Sequence, residues 1–538
     1  MKRLPLVLLL LLMVAPPPTQ AQSYYPLRGS GSSWSENAIK QWIADVNANG
    51  MPVSYSGSGS SAGRLDFAQK MNDFAVSEIP FQGVDPVTGN ADNSNGRPFA
   101  YMPIVAGGTA FMYKLSVGGQ LVRDLRLRGE TITAIFTGEI TDWSDDRITA
   151  DNNGRKLPKK RIVPVVRSDG SGTTAQFTLW MSKQHKDKYC PFFAEHVNRN
   201  KPCGLTSYYP EFKGAVAQSG SSQMAGYISA EYGEGAIGYV EYSYATALNY
   251  PVVKVKNAAD YFVAPTAQNV AVALQSAQIE RDASKETYLT QILDGVYSSP
   301  DPRTYPLSSY SYMILPISED GKLTKASGRT LGAFARYFLC TGQVAMPDLG
   351  YSPLPLNLVR AGFEQVRKVP GADQSTLKPE DCGNPTFDPS DPDNNKLAKT
   401  APMPEACDKV GQGPCGTGNG GGGGTGNGTG QGNGNGNGQG GGNGDGNGTG
   451  GDANGDGVPD GAGDDAAIDP LTGLPVGQGQ GNGNGTAVAG SATELASSRS
   501  GDDALAALAA LELLLVLVVP TFVARAIARR RNNQGSAQ

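Results

Sequence analysis

The segment RSDGSGTT, residues 167–174, combines an arginine, an aspartate, two glycines and several hydroxyl side chains directly before an apolar helical pattern. Glycines let the backbone turn tightly, and the free N–H groups at a helix start favour an anion. The planar guanidinium of Arg167 can meet two oxygens of a tetraoxyanion, and Asp169 can hold that guanidinium in place. The hydroxyls of Ser171 and Thr173 can bind the anion or cap the helix, so this segment alone leaves both interpretations open.

Two further segments repeat this arrangement between a predicted strand and a predicted helix. They are YSGSGSSAG at residues 55–63 and LRGSGSSWSENAIKQW at residues 27–42. The first supplies Ser60, and the second supplies Ser33 followed by Trp34. Helix capping alone does not account well for three such junctions. If they converge on one cleft, their hydroxyl and N–H groups surround a small oxyanion, and we therefore predict an anion-binding site.

Other chemistries fit these residues less well. The loops lack the lysine of a GxxxxGK[ST] nucleotide loop, and Asp169 stands where a GxSxG nucleophile elbow needs glycine. His185 and His196 are the two histidines of the chain; they show no triad order, and solvated surface positions are the simpler interpretation. We predict no catalytic residue, no cofactor and, without a CxxC pair, no zinc site. The formal net charge of −5 gives no sign of a nucleic-acid partner.

The stretch DANGDGVPD has the alternating oxygen ligands of a calcium loop around Gly457. The candidate ligands are Asp452, Asn454, Asp456 and Asp460. The glutamate that closes an EF-hand loop is missing, and chance is high in a tract of this composition. A weak calcium site and a plain linker therefore both remain possible.

Alternating strands and helices must position the three junctions. MPVSYSGSG and RIVPVV have the pattern of strands, and NAIKQWIADVNA and AQFTLWMSK have the pattern of amphipathic helices. One helix face carries Ile39, Trp42, Ile43 and Val46. This alternation predicts an α/β fold with largely parallel strand order, and about 350 residues suffice for two lobes.

Both ends of the chain have the character of targeting or anchoring segments. Residues 1–21 have the basic and apolar regions of a secretory signal peptide. Residues 504–524 carry one charge, Glu512, and about 30 Å of helix would span a bilayer. The arginines of residues 525–538 place that end in the cytoplasm by the positive-inside rule. A buried core helix is the alternative for residues 504–524. A cell-wall sorting signal would need an LPxTG-like motif, and the sequence contains none.

The region between the folded part and the predicted membrane span has two compositions. Residues 376–410 are rich in Pro, Asp and Asn and are predicted to be an irregular, cysteine-containing extension. Residues 411–503 are a Gly/Asn-rich linker, and about half of the 71 glycines of the chain fall within residues 411–490. Such a composition predicts disorder and a role in holding the folded part above the membrane.

Six cysteines in an exported chain predict disulfides. Cys190 and Cys203 are close enough in sequence to pair, and so are Cys407 and Cys415, which leaves Cys340 and Cys382 for the third bridge. Six cysteines allow 15 connectivities, so this pairing is one hypothesis among several.

At this point the chain resembles the phosphate-binding proteins of bacterial ABC phosphate importers over about residues 26–365. The segments that carry the resemblance, in family order, are GSGSSWSENAIKQWIADV, VSYSGSGSSAGRLDF, DFAVSEIPF, YMPIVAGGTAFMYKL, LRGETITAIFTGEITDW, VVRSDGSGTTAQFTLWMS, EGAIGYVEYSYA and LGYSPLP. Any one of them is weak evidence, whereas together they are specific. The YSPLP segment and the tail cysteines resemble an actinobacterial branch of that family.

The resemblance implies a periplasmic-binding-protein-like fold of two lobes that close on one phosphate. Lobe 1 would comprise residues 22–105 and 238–375, and lobe 2 residues 106–237, with YMPIVAGG and GAIGYVEY as the hinge crossovers. The implied phosphate-binding residues are Ser33, Trp34, Ser60, Glu78, Arg167, Ser171, Gly172 and Thr173, with Asp169 supporting Arg167. Ser33 and Trp34 would act mainly through their backbone.

Glu78 departs from the family, which usually has aspartate after DFAVS. A carboxylate here can accept the proton that phosphate carries near neutral pH, whereas sulfate has no such proton and meets a like charge. Glutamate is one methylene longer, so it could serve this role, weaken binding or alter selectivity. The remaining alternative is that Glu78 points to solvent.

The resemblance therefore implies a non-enzymatic, extracytoplasmic receptor that binds inorganic phosphate and delivers it to an ABC permease. In this chain the predicted transmembrane helix would tether a monomeric binding domain to the outer face of the cytoplasmic membrane. A surface protein with a repurposed anion-binding fold, for adhesion or phosphate sensing, is the main alternative. A phosphatase would need a nucleophile with a base or a metal cluster, and the sequence shows neither.

Overall fold

The computed structural model of the chain describes residues 24–197, 199–375, 378–391 and 394–412. All of these residues belong to one compact unit. The predicted signal peptide, the glycine-rich linker with its calcium-loop candidate, the segment 504–524 and the basic tail lie outside the described residues. Among the described residues, none of the helices has both the length and the apolar character needed to cross a bilayer.

Eight strands form the central sheet that positions the three junctions. In chain order they are β1 (Leu27–Gly31), β2 (Val53–Ser56), β3 (Phe74–Ser77), β4 (Phe99–Tyr113), β5 (Val163–Arg167), β6 (Val216–Gln218), β7 (Ala236–Glu241) and β8 (Ser308–Pro316). Their order across the sheet is β6-β5-β7-β4-β8-β3-β1-β2. β1 pairs in parallel with β2 and β3, and β5 pairs in parallel with β6 and β7. Within each group, the loops that follow the strands therefore lie at the same edge.

Two long strands join these groups and run against them. β4 has 15 residues, pairs with β8 from Phe99 to Gly108 and then with β7 from Thr109 to Tyr113. β8 in turn pairs with β3, and all three of these pairings are antiparallel. The prediction of a largely parallel sheet is thus correct for each end of the sheet and wrong for its centre. A buried apolar strand has the same kind of residue pattern whether it pairs in parallel or antiparallel, so the sequence does not reveal the direction of the central strands.

Nine helices of eight or more residues occur in the described part of the chain. They are α1 (Glu36–Asn47), α2 (Ser60–Ala68), α3 (Gly129–Phe136), α4 (Gly172–Gln184), α5 (Lys186–His196), α6 (Gly220–Ser229), α7 (Ala267–Leu274), α8 (Lys325–Leu339) and α9 (Leu356–Val366). The predicted apolar face of α1 is confirmed, because Ile39, Trp42 and Val46 are buried, while Ile43 is half-buried. These helices cover the sheet and enclose one continuous apolar core.

The remaining elements are short. Further strands are Gly83–Val84, Ala91–Asp92, Ser116–Val117, Gln120–Leu121, Arg126–Leu127, Lys254–Lys256, Phe262–Val263, Gln278–Ile279 and Gln291–Ile292. Short α-helices are Asp146–Asp151, Tyr242–Ala247, Asp294–Tyr297, Met346–Leu349 and Lys396–Lys399. Turns of 3₁₀ helix are Glu231–Gly233, Thr341–Gln343, Pro379–Cys382 and Ala406–Asp408.

Disulfides connect Cys190 to Cys203 and Cys340 to Cys382, as predicted. Cys407 is also disulfide-bonded, and Cys415, its predicted partner, lies outside the described residues.

Of the two histidines, His196 is exposed as predicted. The prediction is wrong for His185, which is buried against the Trp180 ring at a centroid distance of 4.6 Å. Burial lowers its pKa.

The described residues after 377, which we call the extension, are bound to the body of the fold. Asp408 forms buried ion pairs with Arg126 at 3.0 Å and with Lys254 at 2.6 Å. These two basic residues lie on neighbouring strands of a small three-stranded sheet. Arg303 Nη1 donates to the carbonyl oxygen of Ala398 at 3.1 Å, where the short helix Lys396–Lys399 packs against α7.

Candidate functional site

The three predicted junctions lie together, although the strands before them stand at opposite ends of the sheet. The N–H of Gly172, at the start of α4, donates to Ser60 Oγ at 3.1 Å. The N–H of Ser61 donates to the carbonyl oxygen of Gly170 at 3.0 Å. The sheet must therefore be strongly curled, because these contacts join the loop after β5 to the start of α2. This curl creates the cleft that the sequence predicts.

Glu78, directly after β3, is buried and points into this cleft rather than to solvent. Ser60 Oγ donates to its Oε2 at 2.8 Å, and Ser311 Oγ donates to its Oε1 at 3.0 Å. Burial raises the pKa of Glu78, and hydrogen bonds from Ser32, Ser60 and Ser311 partly offset that increase. The donating hydroxyls of Ser60 and Ser311 leave the carboxyl group as an acceptor.

Gly172 allows Glu78 to approach the start of α4. A Cβ at this position would lie 2.0 Å from Glu78 Oε2 and 2.7 Å from Ser60 Oγ, which is closer than real contacts permit. Any side chain here would displace the carboxylate. The glycine in the SGTT sequence is thus required by the close approach of the two sides of the cleft.

Arg167, at the end of β5, is buried and held by Asp169 in a paired arrangement. Its Nε donates to Asp169 Oδ1 at 2.7 Å, and its Nη2 contacts Asp169 Oδ2. The N–H of Gly220 also donates to Oδ1, at 2.9 Å. Burial alone would raise the pKa of Asp169, but its bonds to Arg167 and the positive charge there hold it below its ordinary value. The predicted supporting role of Asp169 agrees with this geometry.

The hydroxyls at the start of α4 differ in their partners. Ser171 Oγ accepts from the N–H of Thr174 at 3.2 Å, so it caps the helix while its own hydrogen is still available. Thr173 Oγ1 is buried and has no hydrogen-bond partner in the described part of the chain. A buried hydroxyl without a partner is costly, which makes Thr173 the clearest vacant donor of the cleft.

Ser33 and Trp34, between β1 and α1, are both buried at the cleft. Their carbonyl oxygens accept hydrogen bonds from Tyr244 at 2.5 Å and from Tyr351 at 2.7 Å. The N–H of Trp34 donates to Ser32 Oγ at 3.0 Å. Their backbone is thus fixed by aromatic hydroxyls on one side and by the loop itself on the other.

Sequence reasoning missed several residues that support or line the cleft. Gln176 Nε2 donates to the carbonyl oxygen of Glu78 at 2.8 Å, and Ser311 binds the Glu78 carboxylate from β8. Ser221 Oγ lies 3.1 Å from Ser33 Oγ and 3.4 Å from Arg167 Nη1. A signal for Ser221 exists, because the tetrapeptide SGSS of residues 30–33 and 58–61 occurs again at 219–222. Ser311 and Gln176 carry no comparable local signal.

Titratable metal ligands do not gather around this cleft. Within the described residues, no group of three or more His, Cys, Asp or Glu side chains is arranged to hold a metal ion. The acidic side chains of the predicted site are already engaged, Glu78 by hydroxyls and Asp169 by Arg167. What the arrangement offers is a set of N–H, hydroxyl and guanidinium donors together with one buried carboxyl acceptor.

Comparison with known proteins finds relatives that align with about two thirds of this chain. The chain is 29% identical to phosphate-binding protein PstS of Pasteurella multocida over 365 residues, which cover 67% of this chain and 94% of that protein. It is 28% identical to phosphate-binding protein PstS 3 of Mycobacterium leprae over 338 residues, 61% of this chain and 83% of that protein. A crystal structure of a phosphate-binding protein from Stenotrophomonas maltophilia aligns with a TM-score of 0.45 at 16% identity, covering 63% of this chain and 93% of that one. A family model described as a PBP superfamily domain matches residues 16–341, well over half of the sequence, and the chain therefore belongs to the PBP superfamily.

Proposed function

We propose that the chain is an extracytoplasmic receptor that binds inorganic phosphate and delivers it to an ABC importer. The observation that carries this proposal is the convergence of Arg167, the start of α4 and Glu78 on one buried cleft. The names of its relatives, which are phosphate-binding proteins, support the same ligand. They also support a binding protein rather than an enzyme.

The proposed ligand set is the one implied by the sequence. Arg167 supplies the positive charge, and Ser171, Gly172 and Thr173 supply donors at the start of α4. Ser60 Oγ accepts a hydrogen bond from the N–H of Gly172 and donates one to Glu78. When an anion binds, the Ser60 hydroxyl and the Gly172 N–H would both donate to its oxygens instead. Further donors come from the loop of Ser33 and Trp34. Charge-assisted hydrogen bonds contribute about 1.5–3 kcal/mol each, which is enough in sum for micromolar or tighter binding.

Glu78 is proposed to select phosphate over sulfate. Its carboxylate lies within the cleft as an acceptor, and protonated phosphate can donate a hydrogen bond to it. Sulfate would place a charged oxygen against a buried carboxylate, which opposes binding. The extra methylene relative to aspartate is accommodated because Gly172 has no side chain at the point of approach.

Ligand binding is proposed to close two lobes, residues 22–105 with 238–375 and residues 106–237. The proposed border at residue 106 falls within β4, close to where this strand changes partner from β8 to β7. Contacts such as Ser60 with Gly172 would join the lobes in the closed state and part when they open. In a hinge motion of this type, a ligand that contacts both lobes stabilises their closed arrangement.

The finer localisation is also a proposal. We propose that residues 504–524 cross the cytoplasmic membrane once and that the glycine-rich linker spaces the binding domain from the bilayer. The apolar composition of 504–524 and the arginines after it support this orientation. An anchored receptor would remain near its permease without release into the surroundings.

Calorimetry on the full chain in mild detergent tests the function. Carried-over phosphate is first removed, and phosphate, arsenate and sulfate are then titrated at pH 7. We expect phosphate to bind with a Kd of about 1 μM or tighter and sulfate to bind at least about a hundredfold more weakly. A folded sample that binds no phosphate would contradict a transport role and would favour a repurposed surface protein.

A further inference from the structure

A fourth strand–loop–helix junction reaches the candidate site. Residues 219–222 have the sequence SGSS, follow β6 and open into α6. The same tetrapeptide spans the end of β1 at residues 30–33 and follows β2 at residues 58–61, and SGTT at residues 171–174 follows β5. Because the other three junctions supply proposed ligands, the fourth invites the same question.

The third residue of each tetrapeptide is buried at the cleft. These residues are Ser32, Ser60, Thr173 and Ser221. Ser60 donates to the Glu78 carboxyl group, Ser32 Oγ accepts from the N–H of Trp34, and Thr173 Oγ1 has no hydrogen-bond partner among the described residues. Ser221 is fully buried, whereas the next residue, Ser222, is exposed. The four junctions therefore share a similar tetrapeptide, and in each the hydroxyl side chain at the third position is buried.

Ser221 makes contacts that place it beside the charge of the site. Arg167 Nη1 donates to Ser221 Oγ at 3.4 Å, and the N–H of Ser221 donates to Ser33 Oγ at 3.0 Å. The two hydroxyls of Ser33 and Ser221 lie 3.1 Å apart. Asp169 takes the N–H of Nε and one N–H of Nη2, so Nη1, which contacts Ser221, keeps an N–H for an anion. An oxygen bound to Nη1 would thus meet the Ser221 hydroxyl.

We propose that Ser221 is a further direct anion-binding residue and that residues 219–221 form a fourth side of the site. This inference rests on the proposed phosphate-binding function. Without ligand, Ser221 Oγ accepts the hydrogen bond of Arg167; with phosphate, the same hydroxyl turns and donates to the oxygen that Arg167 binds. The start of α6, a ten-residue helix, adds its positive dipole end to that of α4.

The competing explanation is that Ser221 only positions Ser33. A double-mutant cycle separates the two roles. If Ser221 contacts the anion, Ser221→Ala weakens phosphate binding both in the wild type and in a Ser33→Ala background. If it acts only through Ser33, its effect disappears once the Ser33 hydroxyl is gone.

Calorimetry with inorganic phosphate on the full chain provides the test. We expect Ser221→Ala to raise the Kd by about tenfold or more, in both backgrounds, because a hydrogen bond to a charged ligand is lost. The matched control is Ser222→Ala, one residue further along the same helix and exposed, which should bind as the wild type does. Equal binding by Ser221→Ala and the wild type, or loss of the effect in the Ser33→Ala background, would overturn the inference while leaving the receptor function intact.

A wild type that binds no phosphate would overturn the proposed function and this inference with it, which distinguishes the two failures. A crystal structure of the wild-type complex with phosphate gives an answer even if the Ser221→Ala chain does not fold. The inference requires Ser221 Oγ within about 3.0 Å of a phosphate oxygen. A phosphate bound by the other residues with Ser221 still on Arg167 alone would refute it.

Discussion

The two ends of the sheet bring opposite charges to the candidate site. The junctions after β1, β2 and β3 contribute hydroxyls and the buried carboxyl group of Glu78. The junctions after β5 and β6 contribute the Arg167 guanidinium and the starts of α4 and α6. In the proposed function, one end would attract the anion, and the other would distinguish an anion that carries a proton from one that does not. Affinity and selectivity would then depend on regions that are far apart in sequence.

Removing the positive charge should have the largest effect. We expect Arg167→Ala to weaken phosphate binding by at least about a hundredfold, because the half-buried Asp169 would then face the anion without its partner. Calorimetry at pH 7 measures this loss. Arg167→Lys is the matched control, because it keeps the positive charge but loses the paired contact with Asp169. Its phosphate affinity should lie between those of the wild type and Arg167→Ala. Unchanged binding in Arg167→Ala would show that the anion does not bind at this end.

Changing the carboxyl group should alter selectivity more than affinity. We expect Glu78→Gln to reduce the preference for phosphate over sulfate by about tenfold or more, because the like charge that excludes sulfate is removed. Competition of the two anions in calorimetry checks the ratio. Glu78→Asp, which restores the residue usual in the family, should keep the preference. If Glu78→Gln retained it as well, the proton would be recognised elsewhere.

The pH dependence of sulfate binding sharpens the same point. Burial raises the pKa of Glu78, so its carboxyl group becomes neutral as the pH falls through that raised value. Sulfate does not change charge over pH 4–8, and Asp169 stays ionised because its pKa is lowered. We therefore expect sulfate to bind several-fold more tightly at acidic than at neutral pH, by an amount that isothermal titration can measure. In Glu78→Gln this pH dependence should be absent; if it persisted, another group would be its source.

A buried carboxyl group outside the proposed ligand set should have the smallest effect on anions. Glu241 Oε2, on β7, accepts from the N–H of Ser243 at 2.7 Å, and its Oε1 has no partner among the described residues. Burial raises the pKa of Glu241 to about 8. We expect Glu241→Gln to change phosphate-to-sulfate preference by less than about twofold.

The effect of Glu241 should appear in stability instead. Its folded-state pKa lies above an unfolded value of about 4.3, so the wild type loses stability as the pH rises towards 8. Relative to Glu241→Gln, the free energy of unfolding should fall by up to about 1.4 kcal/mol per pH unit in that range and level off above it. Denaturant unfolding at pH 5, 7 and 9 measures the difference. A constant difference at all three pH values would show that Glu241 does not titrate there.

Local patterns predicted much of this fold. The spacing of Ile39, Trp42 and Val46 located α1, and the glycine–hydroxyl junctions located the starts of α2 and α4. The antiparallel place of β8 between β4 and β3 could not be predicted, because it depends on pairing with residues about 200 positions away.

The candidate site shows the same division. The pairing of Arg167 with Asp169 involves residues two positions apart, and local chemistry was enough to predict it. The contact of Ser33 with Ser221 joins residues 188 positions apart and exists only because the sheet curls. The direction in which Glu78 points was likewise decided by Ser311 and Ser60, which are distant in sequence.

The attachment of the extension has a mechanical consequence. Asp408 is held by Arg126 and Lys254 on a small sheet away from the junction loops, and Cys382 is covalently bound to Cys340. Tension applied along the chain beyond residue 412 would be resisted first by these ion pairs and then by the disulfide. These attachment points all lie outside the eight-stranded sheet, so the tension would enter the fold away from the strands that carry the anion-binding loops.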